Sequence, residues 1–341
     1  MTAAPNYPIE IIQTDRQMYN QLFFEHNQSL FTHHLWIESA KNAHIDPVYL
    51  IIRQNNRPIA KSAGLKVHHS VLRGKELYFY SAPQVEASAA FLMPQIIVSL
   101  FDFAKKQSYN RLVIASYDNC SIRIGKCRGI YPNRREDYIF DLAHPNPHEL
   151  HDTRFKKNYK KSLRVNPVLV ENSNAEGVTN LLRLLKTTHQ IRLKKRYDDY
   201  DSFYLPHTNE QVVSQAVSLQ FGKIYEIRVD NQTHAVAMNL EANQSVFALF
   251  MAYDEFAYKN GLAAFFIHSL IDQYQEKGFT RYNFGGIPKG KESQGIKLFK
   301  ESFGAQASKL DGLTTNFLQY PHKLLNPMLD VIRLIRKKLS E

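Results

Sequence analysis

RYNFGGIPKGKESQGIKLFKESFG, residues 281–304, predicts a strand, a break in that strand, a basic loop and a short helix over 296–302. Gly285 and Gly286 stand together where the strand ends. A glycine pair allows the backbone to open, or a ligand to come close, because no Cβ is in the way. The lysines that follow are Lys289, Lys291, Lys297 and Lys300. This stretch therefore favours a site for an anionic ligand.

The composition indicates a folded protein with an anionic partner. The chain has 341 residues, a length that is large for one domain and typical of two. Its hydrophobic content of 44% is enough to form full cores. The net charge of +11 and the pI near 9.4 favour nucleic acid, a phosphorylated cofactor, a nucleotide-linked substrate or an anionic membrane as the partner. A surface that simply carries surplus lysine is the alternative.

Cysteine, histidine and targeting patterns exclude several classes of protein. Two cysteines, Cys120 and Cys127, cannot build a disulfide framework or a four-thiolate zinc site. The fourteen histidines show no familiar ligand spacing, and the pairs at 33–34 and 68–69 are expected to point apart, so no metal site is predicted. The N-terminus has no signal-peptide pattern, and no stretch approaches the ~20 apolar residues of a membrane span. We expect a cytoplasmic protein.

The order of predicted elements occurs twice along the chain. YLIIRQNNRPIAKSAGL at 49–65 and YEIRVDNQTHAVAMNL at 225–240 both predict a hairpin, and each is followed by a strand, a helix and another strand. The offset of roughly 170 to 180 residues is the size of one domain. We predict an α/β fold with mixed sheets, built from two copies of one unit. The predicted divisions are a first unit at 1–150, a basic connecting helix at 151–165, a second unit at 166–320 and an amphipathic helix at 321–341.

Two basic segments lie near the start of the second copy. Residues 152–164, DTRFKKNYKKSLR, predict a helix with most lysines off the face that Phe155, Tyr159 and Leu163 share. This helix is either a solvated linker or a binding surface for a phosphate-rich partner. A second cluster of basic residues, RLKKR, spans 192–196. The residues predicted to bind the diphosphate of a nucleotide-linked acceptor are Arg154, Lys157, Arg192 and Arg196.

The last helix has an apolar row with basic residues beside it. Its row consists of Leu325, Met328, Leu329, Ile332, Ile335 and Leu339. We expect this row to pack on its own domain, with contact to an anionic membrane surface as the alternative.

The start of the helix in the second copy predicts a donor site. It begins Tyr258-Lys259-Asn260-Gly261-Leu262-Ala263, and free amides at a helix N-terminus attract phosphate groups. Gly261 and Ala263 are small enough to let a ligand approach. The residues predicted to bind the donor are Asn260, Gly261, Leu262, Ala263, Gly285, Gly286 and Lys289.

These two stretches resemble known motifs. Residues 258–263 resemble the Q/R-x-x-G-x-G/A motif of GNAT acyltransferases, with Tyr258 at the first position and Ala263 at the last. The stretch YNFGGI…GIKLFKESFG resembles the Fem peptidyltransferase signature D-F-G-G-I…G-L-x-x-F-K-x-x-F-G, with Asn283 in place of Asp and Ile296 in place of Leu. The resemblance implies two tandem GNAT-like units. It also implies transfer from aminoacyl-tRNA to an amine of a peptidoglycan precursor; related GNAT-like proteins occur with polysaccharide synthesis.

The resemblance also implies roles for residues of the site. Lys300 would stabilise the tetrahedral oxyanion or the leaving oxygen, and Phe299 would pack against the terminal group of the donor. Without the resemblance, Lys300 would be an exposed helix lysine and Phe299 part of a core stripe. Candidates for a general base are Asp118, Tyr253 and His268, each of which a structural role also explains; Tyr253 is the one included in the predicted catalytic set.

Three functions remain open from the sequence. The first is an N-acyltransferase that moves an acyl or aminoacyl group from acyl-CoA or aminoacyl-tRNA to an amine of a cell-wall or polysaccharide precursor. The second is an acyl-CoA-dependent acetyltransferase of an amino sugar or small molecule. The third is a non-catalytic RNA-binding protein with the same fold. A monomer is plausible because two fused units already form an internal pair.

Overall fold

The computed structural model describes residues 8–24, 28–70, 73–118, 129–196, 201–288, 290 and 293–338. The strands are β1 Ile9–Thr14, β2 Ile45–Gln54, β3 Arg57–His68, β4 Lys75–Phe79, β5 Gln84–Val85, β6 Arg111–Ile114, β7 Ile130–Asp141, β8 Val168–Glu171, β9 Gly222–Val229, β10 Gln232–Ala242, β11 Ser245–Tyr253, β12 Arg281–Gly286 and β13 Gln306–Thr315. The α-helices are α1 Arg16–Gln21, α2 His34–Ser39, α3 Met93–Lys106, α4 Thr153–Ser162, α5 Ala175–Lys194, α6 Glu210–Ser218, α7 Glu255–Asn260, α8 Leu262–Glu276, α9 Ser293–Ser302 and α10 Asn326–Lys338.

The chain forms two compact units, but their boundaries differ from the predicted ones. The first unit contains Met1–Arg135 and Leu310–Glu341, and the second contains Glu136–Lys309. The C-terminal segment joins the first unit because Leu313 and Thr314 of β13 pair with β6, at Ile114 and Val113. Helix α4 is part of the second unit, so the interpretation as a linker between units is wrong.

Both predicted hairpins form, and their turns explain why. Asn55 and Asn56 have φ of 53° and 60°, and Asp230 and Asn231 have φ of 50° and 62°. Two central residues with positive φ are typical of the type I′ turn, whose twist matches that of the strands. Asn and Asp adopt this conformation more readily than other non-glycine residues. The turn chemistry therefore sets the register of β2 with β3 and of β9 with β10.

The sheet of the first unit has the order β1-β2-β3-β4-β6-β13, with β5 beside β3. Its core includes Ile96, Ile97 and Leu100 of α3, which are fully buried. The sequence predicted no stretch of membrane-spanning length. Among the described residues, one helical segment at 87–106 does have the length and apolar composition to cross a membrane, a test that buried core helices also pass.

The sheet of the second unit has the order β7-β12-β11-β10-β9-β8. Helix α8 buries Phe266, Ile267 and Leu270 in its core. Helix α4 packs there too, because Phe155 is 1% exposed and the Tyr159 ring stacks on the α8 ring of Phe265 at 6.2 Å. The basic side chains of α4 consequently lie on one side of a helix that is anchored to the domain.

Helix α10 is attached through polar contacts, and most of the described part of its apolar row is exposed, with Leu329 half-buried. The Asp330 carboxylate accepts hydrogen bonds from the Tyr131 hydroxyl at 2.5 Å and from the Asn316 amide at 2.8 Å, and these bonds lower the pKa of Asp330. Met328 and Ile335 are 55% and 53% exposed. The expectation that this row packs on its own domain is therefore wrong.

Candidate active site

Strands β11 and β12 of the second unit separate partway along their length. Their parallel pairing joins Ser245 to Arg281, Val246 to Tyr282 and Phe247 to Asn283. Strand β11 then continues beside β10 as far as Tyr253, whereas β12 turns at its glycines. The two strands diverge at their carboxyl ends, where open α/β sheets place ligands.

The equivalent strands of the first unit stay together. Strands β4 and β6 pair up to Phe79 and Ile114, and hydrogen bonds continue beyond them from the Tyr117 amide to the Tyr80 carbonyl at 2.9 Å. The rings packed at this end are those of Phe31, Trp36, Tyr80 and Tyr117. Among the described residues, this strand end is filled with rings and its pairing continues, whereas β11 and β12 separate, so we place the candidate site in the second unit.

Helix α8 begins at the diverging strands. Gly261 has φ of 72°, ends α7 and precedes α8 without a side-chain cap. The first amides of α8, at Leu262 and Ala263, have no carbonyl within the helix and can bind an anion. A Cβ at Gly261 would lie 3.0 Å from the Asn158 carbonyl oxygen of α4. The glycine was predicted to admit a ligand; the structure shows that it admits the backbone of α4.

The glycine pair at the end of β12 is held by two buried polar residues. The Asn283 side chain donates to the Asp137 carboxylate at 3.1 Å and accepts from the Gly285 amide at 2.7 Å. Asn283 and Asp137 are both fully buried. Gly285 has φ of 68°, a conformation that favours glycine. The departure from the Asp of the Fem signature thus gives the Asp137 carboxylate a hydrogen-bond donor.

Lys300 of α9 lies at this same strand end. Its ammonium donates to the carbonyl oxygens of Phe284, Gly285 and Gly286 at 2.7, 2.9 and 2.7 Å. The ammonium also lies 5.6 Å from the centre of the Tyr138 ring. An ammonium has three donors, so these carbonyls engage all of them and hold the glycine turn in place. Contact of Lys300 with an oxyanion stays a prediction.

Phe299 contacts the core of the second unit. Its partly buried ring lies 5.4 Å from the ring of Phe303 and 6.4 Å from that of Phe155. These contacts match the core-stripe alternative, and contact with the donor stays a prediction. Lys289 lies outside the described residues.

Tyr253 ends β11 beside the basic end of α5. Burial raises the pKa of Tyr253 well above its usual value, Tyr258 raises it further and the nearby Arg192 charge opposes both. The Lys195 ammonium lies 5.0 Å from the Tyr258 ring, and Lys194 lies 3.7 Å from Glu255 of α7. The structure thus brings one of the two predicted basic clusters to the carboxyl end of β11.

The other predicted basic residues are exposed. Arg154 and Lys157 lie on α4, the helix that touches Gly261 through Asn158, and Arg196 follows the end of α5. Acceptor binding by these residues stays a prediction.

The remaining candidates for a general base have other roles in the structure. Asp118 belongs to the first unit, where it is buried and accepts from the Leu30 amide at 3.0 Å. Burial lowers the pKa of His268 to about 4. A structural role was the alternative for His268, and its Nδ1 atom is buried without a hydrogen-bond partner among the described residues.

The sequence missed two histidines that lie next to His268. His148 and His151, in and after a 3₁₀ turn at 147–150, form a group with His268 in which one ring nitrogen of each lies within 4.8 Å of the others. The H-x-x-H spacing of His148 and His151 is the sequence pattern that could have indicated this group. The expectation that His33 and His34 point apart is also wrong, because their rings stack at 4.5 Å.

A cavity of about 540 Å³ opens beside α5 in the same unit. Its lining comprises Leu182, Leu185, Lys186, His189, Asp201, Ser202, Phe203 and Glu210. Phe203 packs edge-on against Phe250 of β11 at 5.7 Å, and the Tyr204 hydroxyl donates to the Leu249 carbonyl at 2.9 Å. The cavity therefore neighbours the part of β11 that has separated from β12.

Residues 152–295 match the family model of the acetyltransferase (GNAT) domain. The matched residues all lie within the second unit, which is therefore similar to a GNAT domain. The match covers the basic helix α4, the diverging strands and the start of α8. The predicted class of enzyme, an acyltransferase, is confirmed, whereas the donor and the acceptor stay predictions.

Solved structures of low sequence identity share the GNAT-like fold. FemX is 13% identical, with 89% of this chain and 96% of that chain covered and a TM-score of 0.67. A tandem GNAT protein from the clavulanic acid biosynthesis pathway is 7% identical, with coverages of 92% and 99% and a TM-score of 0.52. L-PGS from Bacillus licheniformis is 15% identical, with coverages of 76% and 81% and a TM-score of 0.51. No curated protein matches the sequence. The predicted Fem-type fold with tandem GNAT-like units is confirmed.

Proposed function

We propose that this protein is an N-acyltransferase that moves an acyl or aminoacyl group from an activated donor to an amine of a cell-wall or polysaccharide precursor. The observation that carries the proposal is the separation of β11 from β12 beyond Phe247 and Asn283, at the start of α8 and within the GNAT-matching residues. An acyl donor can enter between diverging strands without breaking any strand pairing.

Acyl-CoA is the donor that the site supports best. The amides of Leu262 and Ala263 at the start of α8 suit a diphosphate. Arg192 was predicted to bind the acceptor, but its charge acts on Tyr253 at the end of β11, so we assign it to the donor together with Lys195. Aminoacyl-tRNA is the alternative donor, which the net charge of +11 favours.

Tyr253 is suited to donate a proton. Attack of a neutral amine on a thioester forms a C–N bond and breaks the C–S bond, so the leaving thiolate needs a proton and the amine must lose one. We infer that the Tyr253 hydroxyl gives its proton to the thiolate and regains one from the attacking amine, so that no proton is gained or lost overall. The raised pKa of Tyr253 keeps this hydroxyl protonated at neutral pH, although it also makes it a weaker acid. Lys300 fixes the glycine turn beside this reaction by holding three carbonyls.

The acceptor is proposed to be an amine attached to a nucleotide-linked precursor. Arg154 and Lys157 on α4 are free to meet a diphosphate because they lie on its exposed face. An amino sugar or another small amine is the second candidate acceptor, and the cavity beside α5 has room for one.

Acyl transfer itself tests the proposal. Purified protein is incubated with acetyl-CoA or an aminoacyl-tRNA and a panel of amines that includes UDP-linked peptides and amino sugars, and the products are identified by mass spectrometry. We expect an acylated amine with release of free thiol or tRNA. Hydrolysis alone, or no product with any pair, would contradict an N-acyltransferase. A non-catalytic RNA-binding role is not carried further, because the domain match is to an acetyltransferase.

We also infer a cytoplasmic location with contact to an anionic membrane surface through α10. Four apolar residues of this row are exposed, namely Leu325, Met328, Ile332 and Ile335, and polar contacts attach the helix to the first unit. The sequence of this segment also contains Arg336, Lys337 and Lys338, whose positive charge would suit an anionic surface. Co-sedimentation with anionic vesicles should exceed that with zwitterionic vesicles and fall in Ile332→Ser/Ile335→Ser. Equal sedimentation in all cases would exclude the contact. We further propose a monomer, which light scattering checks.

A further inference from the structure

Three histidines of the second unit meet away from the diverging strands. His148 and His151 come from the 3₁₀ turn before α4, and His268 comes from the middle of α8. One ring nitrogen of each lies within 4.8 Å of the others. The rings of His148 and His268 stack at 3.7 Å, and the ring of His151 lies 4.9 Å from His148 and 5.5 Å from His268.

Each ring has one buried nitrogen without a partner among the described residues. These atoms are Nδ1 of His148, Nε2 of His151 and Nδ1 of His268. A buried polar atom without a hydrogen bond destabilises the folded state, so three such atoms in one place need an explanation. A neutral imidazole has one N–H donor and one nitrogen lone pair, and the lone pair is a metal ligand.

Asp272 forms a hydrogen bond with one of these rings and lies near a second. Its carboxylate accepts from Nε2 of His148 at 2.5 Å, and its other oxygen lies 3.7 Å from Nε2 of His268. A proton on each Nε2 leaves the lone pair on Nδ1, the atom that lacks a partner. A carboxylate behind a ligating histidine is the usual outer partner in metal sites.

Two of the rings have lowered pKa values. Burial, together with the charges of neighbouring histidines, lowers the pKa of His151 to about 3 and that of His268 to about 4, although Asp272 acts in the opposite direction on His268. Metal ions compete with protons for these nitrogens, so neutral rings favour coordination.

We propose that His148, His151 and His268 bind one divalent transition-metal ion, with Zn²⁺ as the best fit, and leave its fourth position to water. Three imidazoles suit zinc, copper and nickel, and tetrahedral coordination with one open position is common for zinc. The terminal ring torsion of histidine is broad, so the stacked rings can turn until their lone pairs converge.

Such an ion would fasten the start of α4 to α8. The ring of His151 packs on Phe155 of α4 at 4.3 Å, and the ring of His268 stacks on Tyr159 of α4 at 4.0 Å. Helix α4 in turn touches Gly261, where α8 begins. The ion would thus stabilise the contact between α4 and α8 without taking part in acyl transfer, so the inference stands apart from the proposed function.

Metal binding to the untagged full chain tests this proposal. Protein stripped with a chelator is titrated with Zn²⁺ by calorimetry and with Co²⁺ by visible absorption, and bound metal is counted by mass spectrometry. We expect one ion per chain, an intense tetrahedral Co²⁺ spectrum and a raised melting temperature. No stoichiometric ion, or only a weak octahedral Co²⁺ spectrum, would overturn the proposal, and this measurement needs no variant.

Variants locate the ion. His148→Gln and His268→Gln should each weaken Zn²⁺ binding at least about 100-fold, and Asp272→Asn about 10- to 100-fold. His34→Gln, which alters a stacked histidine pair in the first unit, is the matched control and should bind as the wild type does. Equal binding by all four variants, with circular dichroism showing that they fold, would place the ion elsewhere and overturn the assignment.

Discussion

The side-chain amide of Asn283 donates a hydrogen bond to the carboxylate of Asp137 at 3.1 Å, and both side chains are fully buried. This pair holds the turn of β12 next to the candidate site, because the Asn283 carbonyl oxygen accepts from the Gly285 amide. The Fem signature has Asp at this position, and the presence of Asp137 explains why Asn suits this chain.

Asn283→Asp should destabilise the protein by about 3 kcal/mol at neutral pH, because it places a second buried carboxylate beside Asp137. One of the two carboxyls would then have a raised pKa in the folded state. The unfolded state binds fewer protons between the ordinary and the raised pKa, so the stability of this variant should fall as pH rises through that window. Urea unfolding at several pH values measures both effects.

The exchange variant Asp137→Asn/Asn283→Asp is the control, because it restores one donor and one carboxylate. It should regain most of the lost stability. Equal stability of wild type and Asn283→Asp at neutral pH would show that the two side chains are not a buried pair.

Lys300→Met should leave three carbonyls of the β12 turn without their donor and cost about 1–3 kcal/mol of stability. If the turn positions the reaction, kcat/KM for acyl transfer should fall about 100-fold or more. Lys297→Met on the same helix removes only an exposed ion pair with Glu301, at 3.8 Å, and should change little. Similar effects of the two substitutions on stability and on kcat/KM would show that Lys300 has no specific role in the site.

Gly261→Ala should be more destabilising than Gly278→Ala. Both glycines have positive φ, 72° and 78°, which costs alanine about 1 kcal/mol. A Cβ at Gly278 meets nothing within 4 Å, whereas one at Gly261 meets the Asn158 carbonyl oxygen at 3.0 Å. Thermal unfolding of the two variants isolates the contribution of the α4 contact. Equal losses would mean that α4 is not held close to the start of α8.

Tyr253→Phe should lower kcat by about 100-fold and leave KM for the donor nearly unchanged, because the proton donor is lost and the ring remains. Tyr258→Phe is the matched control, since its exposed ring lies 5.6 Å from that of Tyr253 and its hydroxyl has no proposed role. A wild-type kcat in Tyr253→Phe would exclude the proposed proton transfer.

Local chemistry made much of the fold predictable. The hairpins depend on the Asn55–Asn56 and Asp230–Asn231 turns, and the strand–helix–strand order follows from hydrophobic patterns of a few residues. The start of helix α8 was predicted correctly because Gly261 marks it.

The features that the sequence did not predict depend on contacts between residues that are far apart along the chain. The C-terminal segment belongs to the first unit because Leu313 pairs with Ile114. No local sequence pattern predicts this pairing. The same limit applies to the partner of Asn283 and to the meeting of His148 with His268. An amphipathic pattern is identical whether its apolar row is covered or exposed, so the sequence could not decide the environment of α10.

Donor binding tests the central claim most directly. Acetyl-CoA and deacylated tRNA are titrated calorimetrically into wild type, Arg192→Glu and the control Arg183→Glu, whose altered residue lies on the same helix and contacts the Thr233 carbonyl. We predict saturable acetyl-CoA binding that weakens about 10-fold in Arg192→Glu and is unchanged in the control. If only tRNA binds, and its affinity falls with salt, the donor would be aminoacyl-tRNA instead of acyl-CoA. Absence of binding by either ligand to the wild type would contradict a donor site in the second unit.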